Sequence, residues 1–136
     1  TSPDIVGYAR KMERLSRKAC YIAMRVPIHD GVVGELSLRI HGCWHDSPNF
    51  VVGYNALLQA GITGHVVMEE SVRHWRDASL EEALARAKRH LRLHDNRHDD
   101  MIVDTLKRRL VLRNGEQFWP DGMRSALVWW HPTARP

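Results

Sequence analysis

The sequence predicts an α+β fold in a single domain, 1–136, with about four helices and a small, largely antiparallel sheet. Three observations carry that expectation. Stretches with apolar residues at helical spacing alternate with short strand-like runs, without settling into a repeated strand–helix unit. "LVLRNGEQFW" places Asn114-Gly115 between two strand-like arms, the strongest short hairpin signal. No glycine-rich loop follows any of the strand-like runs, so the phosphate-cradling signature of the doubly wound nucleotide-binding folds is missing.

The chain opens with "SPDIVGYARKMERLSRKACYIAM". Ser2 can cap a helix, Pro3 suits the first helical position and Asp4 the first turn. Ile5, Tyr8, Ala9, Met12, Leu15, Ala19, Ile22 and Ala23 recur at helical spacing, which predicts a basic amphipathic helix over 3–24. "VPIHDG" breaks it. "GELSLRIH" then alternates, with Leu36, Leu38 and Ile40 on one face and Glu35, Ser37, Arg39 and His41 on the other, the period of a half-buried strand.

"SPNFVVGYNALLQAG" returns to helical spacing, from Ser47 as cap and Pro48 to Gly61 as the stop. "HVVM" reads as a short strand, although "EESVRHW" could draw it into a helix. "SLEEALARAKRHLRLH" joins a capping box, Ser79 with Glu82, to an apolar stripe of Leu80, Ala83, Leu84, Ala87 and Leu91. "DDMIVDTLKRRL" is a further helix, with Ile102, Leu106 and Leu110 a turn apart. "SALVWWH" is a last strand, on which one of Trp129 and Trp130 should face the core and the other away. Residues 132–136 read as a frayed tail.

Composition narrows the class. Hydrophobic residues at 43% and charged residues at 26% are those of an ordinary globular protein. The longest apolar run, "ALVWW", falls far short of the roughly 20 residues of a membrane span. Cys20 and Cys43 are too few for a disulfide-built secreted scaffold, so a reducing, cytoplasmic setting is expected.

The net charge of +4 is unevenly placed. Residues 1–25 hold Arg10, Lys11, Arg14, Arg17, Lys18 and Arg25 against Asp4 and Glu13, and the remainder of the chain balances. The leading expectation is therefore a non-enzymatic binding module. It would contact nucleic acid, a ribonucleoprotein or an acidic protein surface through Arg10, Lys11, Arg14, Arg17 and Lys18, each phosphate contact steepening the salt dependence. The apolar side of the same helix could instead pack against a second copy of the chain. A helix followed by the "RNG" hairpin also suggests a winged-helix arrangement with the hairpin as its wing.

Two histidine clusters support a rival reading, a metal-dependent hydrolase of the phosphoester class. In "IHGCWHDSPN", His41, Cys43 and His45 stand at every second position with Asp46 beside them. Strand neighbours two apart share a face at about 6.6 Å, and zinc accepts imidazole and thiolate together. In "HLRLHDNRHDD", His90, His94 and His98 recur at intervals of four, the i, i+4 geometry of helical metal sites, and Asp95 follows His94. A bound cation would supply the nucleophile by acidifying a water. His-Asp dipeptides also occur at His29, His45 and His98, so the pairing at His94 is not distinctive. Capping and packing account for most of these residues, and no cofactor is required; zinc or another divalent ion would be the one to expect. A protein-binding adaptor or inhibitor is the third reading. Trp119, Trp129 and Trp130 would serve it, or would stack on bases, if their rings reach the surface.

Overall fold

The computed structural model describes residues 4–45 and 49–132. The fold is α+β. Along the chain run α1 (Ile5–Leu15), β1 (Cys20–Arg25), α2 (Val32–His41), α3 (Phe50–Gln59), β2 (His65–Met68), β3 (Arg73–Asp77), α4 (Leu80–Leu91), α5 (Asp99–Arg109), β4 (Val111–Arg113), β5 (Glu116–Met123) and β6 (Ser125–Trp130). The strands build two antiparallel three-stranded sheets, ordered β1-β6-β2 and β3-β5-β4, where the sequence suggested one. The described residues divide into two compact units, 4–27 with 49–71 and 124–132, and 28–45 with 72–123. No described helix is long and apolar enough to cross a membrane.

In the first unit, Asp4 caps α1 by accepting from the Gly7 N–H at 2.9 Å. Ser2 and Pro3 lie outside the described residues, as do Ser47, Pro48 and residues 133–136 of the tail. The helix expected over 3–24 stops at Leu15. Ser16 leaves helical backbone there; its N–H closes the last turn on Met12 O at 2.8 Å, and its hydroxyl donates to Ala19 O at 2.7 Å. Cys20–Arg25 is then free to pair with β6 from Cys20↔Trp130 to Arg25↔Ser125. The apolar residues fit a period of 2 as well as 3.6, and the long-range ladder decides between them. Asn49 caps α3, accepting from the Val51 and Val52 N–H groups.

β1 and β2 both run antiparallel to β6, so they are parallel to each other, with α3 on the connection between them. One face of this sheet carries Cys20, Met24, Val128 and Trp130 into a core shared with Ala9, Leu57 and Ile62. Trp130 faces inward and Trp129 outward, the alternation expected of the strand. Trp130 Nε1 donates to Glu13 Oε1 at 3.0 Å, and Glu13 Oε2 takes Arg10 at 2.9 Å.

In the second unit the capping box forms as expected. Ser79 Oγ accepts from the Glu82 N–H, and Glu82 Oε2 accepts from the Ala78 N–H, each at 3.1 Å. The stripe of α4, the Ile102–Leu106–Leu110 row of α5 and Trp119 form the core together with Val32, Val33 and Leu36. These last three belong to a helix, which corrects the strand expected at "GELSLRIH". The inward positions are Val32, Val33, Leu36 and Ile40, while Leu38 is 47% exposed. That is helical spacing once Val32 and Val33 are included. Gly42, at φ 77°, ends α2 in the left-handed region that favours glycine. The hairpin is as expected, with Asn114 at φ 49° and Gly115 at φ 80° between β4 and β5.

Arg108 and Arg109 of α5 grip Glu35 of α2 at 2.7 and 2.6 Å. The Arg108 hydrogen bond is the main reason the Glu35 carboxyl is held below the ordinary value of 4.5, and Arg109 adds to it. A carboxyl depressed on folding stabilises above its unfolded pKa, and that contribution disappears as pH falls through the folded value. Glu35→Gln is therefore expected to cost about 1 kcal/mol at pH 7, a figure reduced because Arg108 is solvated. The two proteins should converge in acid, once the pH lies below the folded value. Thermal melts at pH 7 and in acid check this, and an equal gap in both would refute it.

Candidate functional site

The backbone disperses the first histidine cluster. "HGCWH" does not continue a strand but folds back along α2. Ser37 Oγ donates to Cys43 O at 2.8 Å, and the Trp44 ring lies against Gly34. His41, the last residue of α2, has Nε2 committed to the Leu91 carbonyl at 2.9 Å. Cys43 is exposed, and Asp46 lies outside the described residues.

The second cluster is broken by Arg92, which leaves the helix at φ 57°. His90 is helical and His94 is not, so their spacing of four no longer puts them on one face. His94 is exposed. Asp95 accepts from the Arg97 N–H at 3.0 Å and pairs with its guanidinium at 3.2 Å. Those bonds, the backbone one first, hold its carboxyl below the usual aspartate range. The N-cap of α5 is His98, and Asp99 and Asp100 occupy its first turn.

What the fold does bring together is one histidine from each cluster. The rings of His45 and His90 meet edge to face at 6.3 Å, and His90 stacks on Trp75 at 4.6 Å. Among the described residues no three His, Cys, Asp or Glu side chains are placed to hold a metal ion.

The basic helix also changes on folding. Arg10 turns inward, pairing with Glu13 and donating to Ala60 O at 2.5 Å. Lys11 and Arg14 remain exposed on α1, while Arg17 and Lys18 are exposed beyond its end. The five residues do not form a single helical stripe.

Two surfaces emerge that were not singled out by motif. The first is the outer face of the β1-β6-β2 sheet. The register sets Tyr21, Trp129 and His65 in one row and Ala23, Leu127 and Val67 in the next. Tyr21 is 58% exposed, Val67 56% and Leu127 36%. The Trp129 ring stacks with Tyr21 at 6.4 Å and with His65 at 4.2 Å. An apolar patch crossing three strands is unusual on a surface that faces only water. The alternation of the strands could have flagged it, but α1 and α3 could as well have lain on opposite faces.

The second is the outer face of the β3-β5-β4 sheet. Its unit runs α2, β3, α4, α5 and the β4–β5 hairpin. Arg76, Phe118 and Val111 lie side by side in register. The guanidinium carbons of Arg76 and Arg113 stand 5.8 and 5.5 Å from the Phe118 ring centre.

No protein-family model, curated protein or solved structure matches the chain.

Proposed function

We propose that this chain works within a protein assembly, docking on polypeptide through the outer face of the β1-β6-β2 sheet. The observation that carries this reading is the exposed apolar patch of Tyr21 with the adjacent row Ala23, Leu127 and Val67. An antiparallel sheet with one face left to water usually turns polar residues to that side, and this outer face is apolar instead. Here the first unit's core holds Ala9 and Met12 of α1 and Phe50, Tyr54 and Leu57 of α3, all on the Cys20, Met24 and Val128 side. The occupant that fits is an amphipathic helical layer, which supplies apolar side chains without needing the sheet's hydrogen bonds.

The test compares the chain with a Tyr21→Ser, Val67→Thr, Leu127→Thr variant. The parent is expected to bind the dye ANS while native and to self-associate at high concentration. The variant should lose most of the dye signal and remain monomeric, with an unchanged far-UV spectrum. A parent that binds no dye and stays monomeric would overturn the reading.

A second reading, contact with nucleic acid or a ribonucleoprotein, is favoured by the exposed Lys11, Arg14, Arg17 and Lys18. Reversing these four charges tests it without disturbing Arg10, whose ion pair is part of the fold.

A further inference from the structure

We infer that β2 pairs edge to edge with β2 of a second copy of this chain, antiparallel about a two-fold axis through Val67. The inference rests on the assembly reading and supplies the contact behind the self-association expected there.

The first observation is how little covers β2. It stands at one edge of its sheet, and all four of its residues are exposed. Val67 shares the outer face with Leu127. Val66 and Met68 lie on the inner side with Val128 and Ala126, yet they are 38% and 37% exposed where those two are buried. The core layer on that side stops short of β2. Folded proteins guard free strand edges with charges, prolines, bulges or shortness. β3 is bulged between His74 and Arg76, β4 is three residues ending in Arg113, and β1 ends in Arg25. "HVVM" has no lysine, arginine, acid or proline, and its register with β6 is unbroken.

The second observation is the direction of the free backbone groups. The Glu69 N–H donates to Ser125 O at 2.9 Å, and the Val26 N–H to Arg124 O at 2.8 Å. By alternation β6 serves β2 through Ser125, Leu127 and Trp129, and serves β1 through the residues between them. Val67 and His65 thus bond to β6, which leaves the N–H and C=O of Val66 and Met68 pointing out from the edge. An antiparallel pair centred on Val67 sets Val66 against Met68 of the other copy on both sides of the axis, and each such pair exchanges both hydrogen bonds. Val67 then faces its own counterpart, and the row Ala23, Leu127 and Val67 runs on into the same row of the second copy. Glu69 of each copy falls opposite His65 of the other, an acid against an imidazole. The two-fold uses up the free edge of β2, so the contact closes as a dimer.

Sedimentation equilibrium over a concentration series tests the pair. The parent is expected to approach twice the monomer mass. Val67→Lys and Val67→Glu should each stay monomeric, because the axis sets like charges side by side, and an equimolar mixture of the two should regain the dimer mass. Val66→Pro removes an outward N–H and no bond to β6, and should weaken the dimer about tenfold with the far-UV spectrum unchanged. Tyr21→Ser, on the far strand β1, should dim the ANS signal and leave the dimer intact. A parent that binds ANS but stays monomeric overturns the edge pair and leaves docking through the outer face standing. A Val67→Lys protein that associates like the parent, or a mixture that stays monomeric, overturns the pair as well. If the parent neither binds the dye nor associates, both readings fall.

Discussion

Asp77→Ala is expected to remove about 3–5 kcal/mol from the stability of the second unit, a large share of what a small domain has. The Asp77 carboxylate is buried at the end of β3. It accepts from Arg86 Nε at 2.9 Å and from the second guanidinium nitrogen at 3.1 Å, and it also takes Trp119 Nε1 at 2.7 Å. One side chain thus joins β3, α4 and β5. Removing it leaves a guanidinium with 25% side-chain exposure, and a buried indole N–H, without an acceptor. The cost comes from those orphaned partners more than from the ion pair itself. The double variant Asp77→Ala/Arg86→Ala should accordingly cost less than the sum of the singles. Urea denaturation of the four proteins measures the coupling. A loss below about 1 kcal/mol for Asp77→Ala would mean that the network does not hold the unit together.

The elements legible in the sequence were those whose signals are local. Ser79 and Glu82 sit within one turn of each other, and Asn114-Gly115 supplies the positive φ angles of its own turn; both formed as expected. What misled were segments settled by distant partners. Cys20–Arg25 is a strand because β6, more than a hundred residues later, pairs with it. Val32–His41 is a helix with no capping side chain at Gly31, so nothing nearby announced its start. Each metal cluster depended on the geometry assigned to its backbone. Once "HGCWH" turned back along α2 and α4 stopped at Leu91, alternation and i, i+4 spacing no longer described those histidines. The outer faces of the two sheets are properties of register and topology, and no short motif encodes them.

The start of α2 leads to the second large effect, a loss of about 2–4 kcal/mol on Asp121→Ala. A helix begins with N–H groups that have no partner within it, and most helices satisfy one of them with the residue just before. Gly31 offers none. The acceptor comes from β5 instead, where buried Asp121 places Oδ1 2.6 Å from the Val32 nitrogen and Oδ2 3.1 Å from that of Val33. Its negative charge also lies at the positive end of the helix dipole. Truncation to alanine leaves two N–H groups in a dry environment, where each costs about 1–3 kcal/mol unpaired. A local replacement is open. A Cβ on Gly31 would stand 3.0 Å from Asp121 Oδ2, too tight in the parent but free once that carboxylate is gone. Gly31 sits at φ −82°, a backbone that serine adopts without strain. Gly31→Ser in the Asp121→Ala background should therefore restore about 1 kcal/mol, while the same change alone gives no gain. Denaturation midpoints of the three variants distinguish capping from packing. If Asp121→Ala is destabilised and the serine restores nothing, the carboxylate holds β5 by some other means than the α2 terminus.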